Sequence, residues 1–211
     1  RRASPAARAA GWRFCGDEAG GAHAALGLEK GATEVEQRGG VEALRARLSG
    51  RDAAGPEDLP AFLLAPDGTA RVIESADDPL HLNPRNLVRN AVYIAPGEVR
   101  VEGNTDLDGV AILAGGDVIL GGGAPRPIRA LLFARDELRL GGGIRWGDAA
   151  PDCAATAFSA YLLAGRRLQL AGGARLNGVL VAAPTLHLGG GNRLGGAFRV
   201  EAANDVAFGG G

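Results

Sequence analysis

The chain has 211 residues, with 35 Gly, 46% apolar residues and only 6 Phe, 2 Tyr and 2 Trp, so it has the apolar content for a core and the composition of neither a collagen nor a disordered linker. No stretch approaches the roughly 18 consecutive apolar residues of a membrane-spanning helix. Basic and acidic groups nearly cancel, 23 against 24, which removes any bulk attraction to nucleic acid or anionic lipid and leaves only a local patch to supply it.

Residues 1–91 predict a small irregular α+β region. Val41, Leu44 and Leu48 fall at i, i+3 and i+7 after Gly39-Gly40, which predicts a short helix. Phe62-Leu63-Leu64, the turn residues Pro66-Asp67-Gly68-Thr69 and then Val72-Ile73 predict a hairpin. Pro79, Pro84 and Asp77-Asp78 mark a connecting segment. With no Met in a chain that starts at Arg1, the sequence is expected to be a processed product whose N-terminal signal or anchor is absent.

Glycine density rises near residue 91, with 11 glycines before it and 24 after, and that change marks the expected boundary of a second domain, 92–211. Here a pattern of Ala, three residues, Val or Leu, any residue, an apolar residue, any residue, Gly occurs six times. Its alanines are Ala95, Ala114, Ala134, Ala164, Ala182 and Ala202. Repetition at such a period is the signature of stacked coils, since one coil cannot bury its apolar face alone. Two-residue alternation puts Val99, Val101, Val118, Leu120, Leu138, Leu140, Leu168, Leu170, Leu186 and Leu188 inside, and glycines turn the corners. The fold class is therefore mainly β, a β-solenoid of about six rungs. From Ala164 to Val206 apolar leaders recur every six residues, as in left-handed hexapeptide helices. Leu180, Leu186 and Phe198 are too large for the inward site that follows in such helices, so a right-handed coil is expected.

The residues that carry chemistry do not converge on a catalytic centre. His23, His81 and His187 are scattered, Ser159 lacks a nucleophile elbow, and the triple glycines at 121, 141 and 189 belong to corners. Asn104-Thr105-Asp106-Leu107-Asp108-Gly109 opens like a calcium loop, yet the closing glutamate position is Gly115. No enzyme activity, cofactor or metal is expected. An excursion of about ten residues, placed between Ile144 and Ala160, carries Trp146 and Cys153; such insertions leave one face of a solenoid, often the binding face. Trp146 either grips a ligand or caps the coil against residues 1–91. Cys153 either pairs with Cys15 or both remain free thiols. Between Tyr161 and Arg199 there are five Arg and no acid, and Arg175 and Arg193 precede equivalent leucines, so they are expected to stack on one face. Arg145, Trp146, Arg166, Arg167, Arg175 and Arg193 are the candidate ligand-binding residues, cations for phosphates beside one aromatic plate. Extracellular DNA is the preferred ligand, with polysaccharide or another pilin subunit next.

The run Leu176-Asn177-Gly178-Val179-Leu180-Val181-Ala182, followed by Leu186-His187-Leu188-Gly189-Gly190, resembles the rung consensus of Gly-rich solenoids in type IV pilus-associated proteins such as competence-type minor pilins. Bactofilins, polymer-forming bacterial cytoskeletal proteins, share much of that rung grammar. The resemblance covers residues 92–211; residues 1–91 carry no pilin motif. The first family implies an extracellular, non-enzymatic pilus component partnered by other pilus subunits. The second implies a filament, and a hexapeptide-type acyltransferase is the remaining, less favoured alternative.

Overall fold

The computed structural model describes residues 61–63, 65–66, 70–147, 159–201 and 205–208. Numbered in chain order, its strands alternate between two sheets. The first sheet stacks β1 (Arg71–Glu74), β3 (Ala91–Ala95), β5 (Val110–Ala114), β7 (Ala130–Ala134), β10 (Ala160–Ala164), β12 (Arg175–Ala182) and β14 (Arg193–Glu201), with the short β9 (Arg145–Trp146) paired to β12. The second stacks β2 (Leu80–Leu82), β4 (Val99–Val101), β6 (Val118–Leu120), β8 (Glu137–Leu140), β11 (Arg167–Leu170), β13 (Thr185–Leu188) and β15 (Asp205–Phe208). Every pairing is parallel and joins one coil to the next. The described residues form a parallel β-solenoid of about five turns with almost no helix.

The alternation has a direct physical outcome. All ten residues expected inside are buried. They stack in two columns of the second sheet, Val99 on Val118 on Leu138 and Val101 on Leu120 on Leu140, continuing through Leu168 and Leu186 and through Leu170 and Leu188. Each full burial of such a side chain contributes about 1.5–3 kcal/mol, and no coil obtains it without its neighbours.

Glycine supplies the corners by absence of bulk. A Cβ on Gly142 would lie 2.3 Å from the carbonyl oxygen of Gly172, and one on Gly172 equally close to that of Gly190. The following position is left-handed, with Gly143 at φ 74° and Asn104 holding the same place at φ 60°.

Four observations change the expected picture. Parallel stacking begins at Arg71, ahead of the change in glycine density, because β1 and β2 pair with β3 and β4. Val72 therefore finds its partner in Val92 rather than in a local hairpin, while Phe62 and Leu63 lie in a 3-10 turn. The first sheet is buried on both faces: Val92, Leu113, Leu131, Phe133, Tyr161 and Leu163 point away from the interior into a second apolar cluster, which Leu63 joins and against which Phe62 packs. Phe62 and Tyr161 rings sit 6.4 Å apart. Finally, Leu180 faces this outer cluster and not the interior, in register with Tyr161. The corner at Pro184 is one residue shorter than that at Gly165-Arg166, so Ala183, not Ala182, takes the place of Ala164. The helix expected at Val41–Leu48 and both cysteines, Cys15 and Cys153, lie outside the described residues.

Candidate ligand-binding face

A short third side closes each coil between the second sheet and the next strand of the first. Its inward column is Leu107, Ile128, Trp146 and Leu176, all buried. Ile128 bridges to Trp146, and Trp146 pairs with Leu176. Alternation within Ile144-Arg145-Trp146 sends the arginine out while its neighbours go in. The same arithmetic acts at Ala174-Arg175-Leu176, so Arg145, Arg175 and Arg193 come into register, one per coil. With strands about 4.8 Å apart the ladder spans about 10 Å. All three are exposed, and among the described residues none has an ion-pair partner. Like charges placed directly opposite repel, and an anion between them relieves that repulsion.

Trp146 requires a correction. Its side chain is fully buried in the core column, so it offers no plate for a base and caps nothing. Ile144 to Gly147 belong to the regular third side, so the excursion does not begin at Ile144. Arg166 and Arg167 do not join the ladder either. Arg166 precedes β11 and Arg167 is its first residue, at the opposite edge of the second sheet from Arg175, which follows the strand. Arg166 is exposed and 3.7 Å from Asp136. Arg167 is half-buried, in register with Glu137 and Thr185, and its guanidinium lies 3.4 Å from His187 Nδ1.

Nearer the start of the solenoid the third side is neutralised. The Asp106 carboxylate is held by Arg89 and by Arg126, the latter at 2.7 Å. Asp108 accepts two bonds from Arg129, 2.8 Å from Nε and 3.0 Å from the terminal nitrogen. Arg126 also reaches Asp108 at 3.7 Å. These carboxylates tie successive coils together, so both acidic side chains of the segment that opens like a calcium loop are engaged by guanidiniums. Partial burial pushes both carboxyls up, but the arginine hydrogen bonds and charges more than reverse this, and both titrate below the ordinary 3.8.

The second sheet's outer face supplies a further surface. Arg139, Gln169 and His187 are in register along it. They line a groove of about 560 Å³ whose edge is the corner residues Gly141, Ala171 and Gly189. Arg139 is committed to Asp117 and Glu137. Gln169 and His187 each stand between two inward leucines, the position that alternation sends outward, but the sequence reading gave this row no ligand.

Compared with protein families, curated proteins and solved structures, the chain has no significant match in any of the three.

Proposed function

We propose that the chain is a non-enzymatic structural and binding element of a bacterial surface appendage, associated with a type IV pilus, and that it contacts a polyanion such as extracellular DNA through Arg145, Arg175 and Arg193. The observation that carries this reading is the in-register ladder of three exposed arginines that have no ion-pair partner among the described residues. A continuously hydrogen-bonded stack is a suitable support for it, because such a stack fixes the spacing of its outward side chains. Arg166 and Arg167, across the second sheet, are not part of this contact.

Fluorescence anisotropy with duplex DNA tests the reading. At most three phosphate contacts form, which sets the log–log salt slope at no steeper than about −2.7 and the fall in affinity between about 50 and 200 mM salt at no more than about 40-fold. Replacing Arg145, Arg175 and Arg193 with Ser flattens that slope, and Arg166→Ser with Arg167→Ser leaves it unchanged. A wild-type chain that binds neither DNA nor another polyanion at low salt removes the binding role. Negative-stain microscopy addresses the assembly: discrete particles are expected, and spontaneous long filaments would favour the polymer-forming alternative.

A further inference from the structure

Between the row Arg139, Gln169, His187 and the ladder Arg145, Arg175, Arg193 lies the corner built from residues 141–143, 171–173 and 189–191. Stacking at this corner is too tight for side chains at its centre, as the 2.3 Å approaches at Gly142 and Gly172 require. The corner bonds from coil to coil, for example from Gly123 N to Gly142 O at 3.0 Å. Asn192 fastens it again, accepting from Ala174 N at 2.8 Å and donating to Gly189 O at 2.9 Å. The result is a rigid, nearly side-chain-free ledge. Gln169 and His187 stand beside Arg139 on one flank, and on the other is one guanidinium per coil, without an ion-pair partner among the described residues.

We propose that this ledge binds a linear acidic glycan, a polyuronate, lying parallel to the stacking axis, with its carboxylates on Arg145, Arg175 and Arg193 and its hydroxyls on Gln169 and His187. The assignment rests on the reading that the arginine ladder meets a polyanion, and it names which one. Three features favour a sugar acid over nucleic acid. First, the coils repeat every 4.7–4.9 Å, a step close to the length of one sugar ring, and rotation about the glycosidic bonds brings the carboxylates of a uronate chain to successive arginines. Phosphates of one duplex strand advance about 3.4 Å along the axis and fall out of step. Second, nucleic-acid grooves of low sequence preference rely on aromatic stacking, and the aromatic beside this ladder, Trp146, is in the core. Third, the row of amide and imidazole answers hydroxyls, which a phosphodiester backbone does not offer along its anionic edge, while guanidinium pairs with carboxylate through two parallel bonds.

Calorimetric titration of the full chain with a homogeneous oligogalacturonate tests this, alongside the same oligomer with its carboxyls reduced to alcohols and duplex DNA of matched charge. The oligogalacturonate is expected to bind more tightly than the DNA, and the reduced oligomer not to bind. Gln169→Ala with His187→Ala should weaken the oligogalacturonate about tenfold, the loss of about two hydrogen bonds, and leave DNA unaffected. Arg175→Ser with Arg193→Ser should weaken both. These positions point outward, so a thermal melt within a few degrees of wild type confirms that each variant is folded. Equal or tighter DNA binding, an unchanged oligogalacturonate affinity in the Gln169/His187 variant, or retained affinity for the reduced oligomer would overturn the glycan assignment while leaving the polyanion contact to stand on the DNA data. Absence of binding to either anion at low salt would overturn both.

Discussion

Replacing Trp146 with Ala separates a core residue from a ligand-gripping one. The indole is fully buried, bridged to Ile128 on one side and paired with Leu176 on the other, with Ile144 and Ala174 buried beside it. Truncating a buried Trp to Ala typically costs about 3–5 kcal/mol. For a chain of this length each kcal/mol moves the melting temperature by about 2–4 °C, which gives a fall of about 6–20 °C. Among the described residues the indole N–H has no hydrogen-bond partner, and a buried donor left so costs about 1–3 kcal/mol. Trp146→Phe removes that donor along with some volume, so it should cost well under half of what Trp146→Ala costs. Circular-dichroism melts and urea midpoints at constant m-value provide the measurement, with DNA or oligogalacturonate affinity measured well below the transition. A Trp146→Ala chain that melts within about 2 °C of wild type and loses ligand affinity would place the indole on the surface, and the register of the third side would then be wrong.

Three further outcomes follow from the corners and the ion pairs. Gly142→Ala, whose methyl meets the Gly172 carbonyl, should be more damaging than Gly143→Ala, which has open space and only left-handed strain of about 1–2 kcal/mol. Gly143→Asn should cost less than Gly143→Ala, because Asn104 already occupies the equivalent left-handed position; melts of the three variants rank them. Asp108→Asn should destabilise by about 1–2 kcal/mol at neutral pH, weakening the paired bonds to Arg129. The sign with pH is fixed by the depressed carboxyls of Asp106 and Asp108: their contribution is present above the ordinary 3.8 and is lost as pH falls below it through the folded values. The gap between wild type and Asp108→Asn, read from urea midpoints, should therefore hold steady from neutral pH to about 3.8 and shrink below it.

The interior of the second sheet was legible because one of its faces is wet. Val99-Arg100-Val101 and Leu138-Arg139-Leu140 alternate cleanly, and alternation fixes both register and direction. The first sheet was harder to read for the opposite reason. Ala91–Ala95, Val110–Ala114, Ala130–Ala134 and Ala160–Ala164 are unbroken apolar runs, and an unbroken run is what a strand buried on both faces requires. The signal was in the sequence, but the repeat was anchored on its alanines and alternation was credited to one face. Leu180 was misplaced by the same kind of count, since six-residue spacing holds only while every corner has equal length and the corner at Pro184 is shorter.

Outward columns pose a different problem, and the candidate site lives in them. Arg145, Arg175 and Arg193 are 30 and 18 residues apart, yet they are successive members of one ladder. The unequal spacing says only that extra residues lie between the first two. It does not say from which corner they emerge. If the excursion begins at Ile144, Arg145 and Trp146 are loop residues and both are free to meet a ligand; if these residues stay on the coil, alternation divides them, one to solvent and one to the core. The second geometry holds because Trp146 completes an inward column that would otherwise have a gap between Ile128 and Leu176, and filling a gap of that size is worth several kcal/mol. Core packing thus decides where an insertion leaves a solenoid, and through that decision it sets which cations line up on the surface. In this chain the same step removed the aromatic plate and left Arg145 exposed in line with Arg175 and Arg193, which shifts the expected ligand from one recognised by stacking to one recognised by repeated charge and hydrogen bonding.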